Sequence, residues 1–436
     1  MKLTKKNLVF IIIVGLFLVV GFYFFSYAKT HKAVLLNNSF IQRAIPTYHS
    51  LRKLPDILFF PIAFTTESKL EKFELFIDET QVHRLNNALG DKPFSDTLEP
   101  ENKLWVKAEF RAGNYSDNVK IRYRGRMANH WNSYKKSYSI KFPKDNLFRG
   151  MSEMRLVLPR DRSYFGESLT NYRMSKMDLP TPELYFVKLA VNGSTEGVLL
   201  ASEQWSQEMI EKMPMSPLSG LFGVTIFTPP EFSAYSEQGL SYWKSWNIEG
   251  ETHQQMTALI ELLDNASDEE FEAIAPLLID LEAFYAKDVV HTLSGKYHIS
   301  DGGNNVILLF DATEGRFKSI PYNVGISHAD QLYKINSQYP LLQKRIWSIP
   351  AFAEARDAYF ANYVAQNKDD DTQYINDWII EMKPEFYKDN AKLENNFMFL
   401  TLLERHKKNA LRNFEETKPP VLDEQTKAAH RDGNEG

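Results

Sequence analysis

Cysteine is absent from all 436 residues. Disulfides, thiolate zinc sites and thiol nucleophiles are therefore excluded. A strong excess of one charge sign is missing too. The formal net charge is −5, with 25% charged and 43% apolar residues, the proportions of a globular chain rather than a disordered or collagenous one. No internal repeat and no low-complexity tract is visible. Long apolar runs are lacking apart from Leu8 to Phe25, an uncharged stretch preceded by Lys2, Lys5 and Lys6.

That run is long enough to cross a hydrocarbon core as a helix. Lysines ahead of it predict a cytoplasmic N-terminus and a main domain in the periplasm or outside the cell. A cleaved signal peptide is the rival reading, with Ser26-Tyr27-Ala28 offering a small residue at a cleavage position. The expectation is a single-pass membrane protein: a signal-anchor or transmembrane helix over 1–29, then a juxtamembrane connector over 30–66. ILFFPIAF (57–64), interrupted by Pro61, is too short for a second span.

The rest of the chain runs strands first and helices second. FELFID (73–78) reads as a strand, and Thr80 as the N-cap of a helix carrying Val82, Leu85 and Leu89 on one face. LWVKAEF (104–110), NVKIRYRG (118–125), SYSIKF (137–142) and MRLVLP (154–159) are further strands. LYFVKLAV (184–191), Asn192-Gly193 and GVLLASE (197–203) form a hairpin signal. Residues 213–254 are rich in Pro, Gly, Ser and aromatics and read as a loop-rich insertion. Ser267 with Glu270 is a capping-box start, and LEAFYAKDVVHTLSG (281–295) a helix ending at glycine. Amphipathic helices are expected over 351–366, 373–389 and 392–415, followed by a disordered tail over 417–436. The layout predicts an α+β protein with a β-rich N-lobe over 67–212 and a helical C-lobe over 255–416.

Two features point to chemistry. From Asn118 to Tyr164 there are twelve Lys and Arg against three Asp and Glu. In the second of these strands Lys120, Arg122 and Arg124 alternate with Val119, Ile121 and Tyr123, so one face is basic and the other apolar. Such a face suits a phosphate-bearing or polyanionic ligand; a solvated basic face, or one facing anionic headgroups, is the plainer alternative. The expected placement outside the cytoplasm argues against nucleic acid. The second feature is 297–327. VILLF (306–310) and FKSI (317–320) form a hairpin, which brings Asp301, Asn304 and Asn305 back beside Asn323. An oxygen-rich cluster there suits a hard cation such as Mg²⁺ holding phosphate, unless these residues merely end strands.

VKIRYRG (119–125), KKSYSIKF (135–142), VNGSTEGVLLASEQ (191–204), the Asp301–Asn305 loop and IPYN (320–323), taken in order, resemble the CotH family of spore-coat-protein-H-like proteins. These are an atypical branch of the protein-kinase fold in secreted and surface proteins. The resemblance implies a bilobal kinase-like fold with a cleft between the lobes, and transfer of the γ-phosphoryl of ATP to Ser or Thr of a protein, or to a surface polymer, with Mg²⁺ or Mn²⁺. It implies that Lys141 contacts the nucleotide phosphates, paired with Glu203, with Arg124 as a further nucleotide-binding residue. Asp301 matches the catalytic-loop aspartate that accepts the hydroxyl proton, and Asn305 the metal-holding asparagine. Where the family reads Ile-Pro-Trp-Asp, this chain reads Ile320-Pro321-Tyr322-Asn323, so the second metal position has lost its negative charge. Three readings stay open: a phosphotransferase with reduced activity, a pseudokinase-like module binding a phosphate-bearing or anionic envelope ligand, and a structural envelope-assembly protein.

Overall fold

The computed structural model describes residues 50–90, 97–99, 102–131, 135–224, 235–236, 239–240, 243–245, 254–295, 306–327 and 340–416. Seven strands close into a barrel in the order β1-β2-β3-β4-β5-β7-β6. They are β1 (Glu71–Phe76), β2 (Val106–Ala112), β3 (Tyr115–Tyr123), β4 (Tyr138–Lys141), β5 (Glu153–Val157), β6 (Leu184–Val191) and β7 (Ser194–Glu203). Every neighbouring pair is antiparallel except β1 with β6, whose parallel pairing closes the ring. The alternation read from sequence does the sorting. Phe73, Leu75, Phe110, Ile121, Ile140, Leu156 and Leu199 fill the interior, each fully buried. Asn192 and Gly193 both take positive φ, 50° and 79°, as a two-residue hairpin turn between twisted strands requires.

Helix α1 (Phe60–Thr65) precedes the barrel, and α2 (Glu79–Leu89) lies against β2. The cap of α2 is Asp78 rather than Thr80: Asp78 Oδ1 accepts from the Thr80 amide at 2.9 Å. Between β5 and β6 runs α3 (Gly166–Lys176), and α4 (Gln207–Glu211) follows β7.

A second sheet has the order β11-β10-β8-β9. Two of its strands, β8 (Gly220–Val224) and β9 (Trp243–Ser245), come from the stretch expected to be loop. They are too short to show a period, but Tyr235 and Trp243 are buried edge to face at 5.1 Å. The expected hairpin is present as β10 (Ile307–Asp311) and β11 (Arg316–Ile320), with Gly315 at φ 72° in its turn. Against this sheet pack α5 (Gln254–Asn265), α6 (Asp268–Leu278) and α7 (Leu281–Leu293). The reciprocal Ser267–Glu270 capping box is formed.

After α8 (Leu341–Ser348), the two helices expected over 351–389 are a single one, α9 (Pro350–Lys388), of 39 residues and about 58 Å at 1.5 Å per residue. The polar run Asn367-Lys368-Asp369-Asp370-Asp371-Thr372 looks like a break but contains no Pro or Gly to make one. Helix α10 (Asn396–Glu416) is the last described element, and the tail expected over 417–436 lies outside the described residues.

The expected single-pass membrane protein is corrected here. Among the described residues no helix is long and apolar enough to cross a membrane. The run 8–25 lies outside the described residues, so no anchor and no membrane-based placement is carried forward. Residues 57–64 form part of a 3₁₀ turn (Leu54–Phe59) and α1, with the Phe59 ring 4.8 Å from Tyr387 and 5.0 Å from Phe397.

Candidate functional site

Strand register arranges the basic residues in rows. Across β3, β4, β5 and β7 one row reads Ile121, Ile140, Met154, Glu203, facing the barrel interior. The next reads Arg122, Ser139, Arg155, Ser202, on the outer face, and Lys120, Lys141 and Glu153 share that face. The basic stripe of the sequence is thus an outer wall of the barrel.

Its solvent end is built on Trp105. The Arg122 guanidinium stands 4.4 Å and the Lys141 ammonium 4.7 Å from the ring centroid. Both also reach Glu153, at 3.8 Å each. Burial, and then Arg122 and Arg124, hold Lys103 below its ordinary pKa. Lys141 and Glu203 are not paired, because they occupy opposite faces of the sheet. Glu203 instead accepts from Lys212 Nζ at 2.6 Å. Burial raises the Glu203 carboxyl, and Lys212 opposes that shift.

The stripe continues inward to a buried cluster that sequence reasoning missed. Arg155 is 1% exposed and donates to Glu167 Oε1 at 3.1 Å and to Ser202 Oγ. Arg162, 2% exposed, donates to Glu167 Oε2 at 3.0 Å, to Asp161, and to Asn323 Oδ1. Glu167, in the first turn of α3, thereby bridges two guanidiniums. Arg155 also stands 5.1 Å over the Tyr322 ring. The Tyr322 hydroxyl lies 3.5 Å from Gln204. Burial, then Arg155, with Arg162 behind it, pushes half-buried Arg124 down to about 10. Burial alone would raise the Tyr322 hydroxyl, but Arg155 and Arg124 together bring it below its ordinary value. Two guanidiniums, Arg155 and Arg162, therefore meet on Glu167, Arg162 also meets Asp161, and the Arg124 charge lies near enough to act on both guanidiniums. Asp161 is also shared with His130 at 3.2 Å and Asn129 at 2.9 Å. Arg155 Nε and Nη1 have no acceptor although they are buried, an expensive state unless something else supplies one. A single charge inside the apolar strand MRLVL was the available signal.

The loop after β11 is held against this cluster by its backbone. The Ile326 amide donates to Ser163 Oγ at 3.1 Å, and that hydroxyl donates to the Ile326 carbonyl at 3.0 Å. A Cβ on Gly166 would stand 3.2 Å from Gly325 Cα, so loop and helix start are in direct contact. Ser327 N donates to the Ser294 carbonyl at 3.0 Å, tying the same loop to the end of α7. Arg162 and Asn323, far apart in sequence, are thereby brought into contact, with the Arg124 charge close enough to act on Arg162. Asp301, Asn304 and Asn305 lie outside the described residues. Among the described residues no group of three or more His, Asp or Glu side chains is arranged to hold a metal ion.

Gly125, which closes VKIRYRG, keeps the wall in register. Its φ is 92°, and a Cβ there would come within 2.4 Å of the His130 ring. That ring cannot retreat, being held by Ser137 Oγ at 3.0 Å on one side and Asp161 at 3.2 Å on the other. Gly125→Ala is expected to cost more than about 1 kcal/mol, from the φ strain plus the clash. Thermal denaturation measures it; an unchanged melting temperature would refute the contact.

The described residues form a mixed α+β body in which a basic barrel wall meets a loop from a second sheet. A family model described as "CotH kinase protein" matches residues 121–395, the main body of the chain. The chain belongs to the CotH family. Among solved structures it is similar to the Shewanella oneidensis MR-1 toxin–antitoxin complex of HipA, HipB and operator DNA, at 12% identity and a TM-score of 0.31. That match covers 60% of this chain and 57% of that one, so this chain spans just over half of its length. It is also similar to the Helicobacter pylori proinflammatory kinase CtkA, at 15% identity and a TM-score of 0.25, over 64% of this chain and 94% of that one. Both likenesses are distant. No curated protein matches the chain.

Proposed function

We propose that this CotH-family protein binds a phosphate-bearing ligand, ATP being the first candidate, where the barrel's basic wall meets the 321–327 loop, and that it does so without efficient phosphotransfer. The observation that carries the reading is the guanidinium of Arg155, buried beside Arg124 and Arg162 with two nitrogens unused. Planar guanidiniums take phosphate oxygens in pairs. Lys141 and Arg122, at the solvent end of the wall over Trp105, draw the anion in. Reduced transfer follows from position 323, whose amide carries no charge for a phosphate-bridging cation.

The test is ligand-dependent thermal stabilisation of the full chain. ATP is expected to raise the melting temperature progressively with its concentration. Arg155→Met is expected to weaken binding by about tenfold or more, the loss typical of a hydrogen bond to a charged group. Arg155→Lys should recover little, since one ammonium does not reproduce the fork. Lys141→Met, at a half-exposed position, should weaken it only by about a factor of two. Equal binding by wild type and Arg155→Met would overturn the assignment. Label transferred from γ-labelled ATP, and lost in Asp301→Ala, would replace it with phosphotransfer.

A further inference from the structure

The family resemblance implies a divalent cation at position 323, and the residues present do not fit one. Asn323 sits at φ 62°, in the left-handed region that asparagine tolerates. Its Oδ1 already accepts from the Arg162 guanidinium. An oxygen turned toward a guanidinium is not turned toward a metal ion. Arg162 is also not free to swing away. Besides Glu167 and the Asp161 side chain, it donates to the Asp161 carbonyl at 3.2 Å, and it is almost wholly buried. Arg155, 5.1 Å over the ring of the adjacent Tyr322, and Arg124, whose charge acts on Tyr322 and Arg162, add two further positive charges beside it. A divalent ion placed there would face three cations in a poorly screened interior, where like charges repel strongly.

We infer that the Arg162 guanidinium stands in for the cation, so that the site takes its polyphosphate on guanidinium groups and needs no divalent metal. The inference rests on the phosphate-binding reading above and sharpens it. The ligand class becomes a polyphosphate anion recognised in its metal-free form. One fixed cation from the chain replaces one that would have been recruited from solution. The same geometry predicts what an acidic residue would do at position 323. It would meet Arg162 first and form an ion pair, rather than restore a metal site.

The experiment is titration of the full chain with ATP, and separately with inorganic tripolyphosphate, in EDTA and in excess Mg²⁺, read by calorimetry and by thermal shift. Dissociation constants in the two media are expected to agree within about twofold, a difference of a few tenths of a kcal/mol. Asn323→Asp is expected to create no Mg²⁺ requirement. Binding that is at least about tenfold weaker in EDTA would overturn the inference and leave the phosphate-binding reading standing. A gain of Mg²⁺-dependent affinity in Asn323→Asp would also overturn it. No binding in either medium would overturn both. The readout is binding alone, so it does not depend on any transfer activity.

Discussion

Lys135→Met is expected to destabilise the protein by about 3–5 kcal/mol, the usual result of removing one partner from a buried ion pair. Lys135 is the first lysine of KKSYSIKF. Its Nζ lies 2.8 Å from Asp389 Oδ2 and donates to the Val198 carbonyl at 2.6 Å, with the two side chains 3% and 0% exposed. Asp389 sits just past the end of α9 and joins three segments. Its Oδ2 also accepts from the Val198 amide at 3.0 Å, and its Oδ1 accepts from the Ala391 and Lys392 amides at 2.9 and 3.1 Å. Space for it exists only because residue 197 is glycine. A Cβ there would stand 1.9 Å from Asp389 Oδ1. The pair thus ties the barrel to the C-terminal helices, and without the ammonium a carboxylate is left buried. Urea denaturation of wild type and variant measures the loss. A loss below about 1 kcal/mol, the range of exposed pairs, would refute a desolvated contact.

The same pair sets a pH dependence. Burial alone would raise the Asp389 carboxyl, but Lys135, with Lys392 and the amides behind it, holds it below its ordinary value. A carboxylate depressed in the folded state contributes stability in full above its unfolded pKa of about 3.9. That contribution is lost as pH falls through the lower folded value. In Lys135→Met the depression shrinks, so acid unfolding should begin at higher pH than in wild type.

Barrel strands were legible in the sequence because period-two alternation leaves a direct trace, as in VKIRYRG. The 192–193 turn and the Ser267 cap were legible because their chemistry is local. Lys141 against Glu203 shows where legibility ends. Both are strand-end residues of the expected charge, but register is a long-range property. One step along a strand changes the face, so Ser202 and Gln204 stand on the Lys141 side while Glu203 does not. KKSYSIKF offers three lysines, and nothing local distinguishes Lys141, on the wall beside Trp105, from Lys135, which is buried against a residue 254 positions away. Arg155 and Arg162 escaped notice because a guanidinium counts as polar wherever it lies. Only the fold shows that α3 and the 321–327 loop cover them. Position 323 was the reverse case: the missing charge was readable, while the guanidinium beside it was not.

Asp371→Ala is the second change expected to cost about 3–5 kcal/mol, and its site explains why α9 does not break. Within the polar run of α9, Asp369 and Asp370 face outward, whereas Asp371 is wholly buried. It accepts from Arg173 Nε of α3 at 2.6 Å and from the Tyr363 hydroxyl at 3.2 Å. Arg173 is equally buried, 5.3 Å over the Phe414 ring, and its Nη1 and Nη2 have no acceptor. Its charge is therefore answered chiefly by Asp371, and alanine would leave it buried without a counterion. Replacing both residues by leucine should recover most of the loss, since a matched apolar pair removes both desolvation penalties. The variant reaches the candidate site as well. Helix α3 holds Arg173 near one end and Glu167 at the other, so loosening it from α9 also loosens the carboxylate that positions Arg155 and Arg162. ATP-dependent stabilisation should accordingly weaken in Asp371→Ala and return in the double leucine variant. Denaturation and titration of the same samples measure both effects. Full stability loss with unchanged ATP affinity would mean that α3 does not couple its two ends.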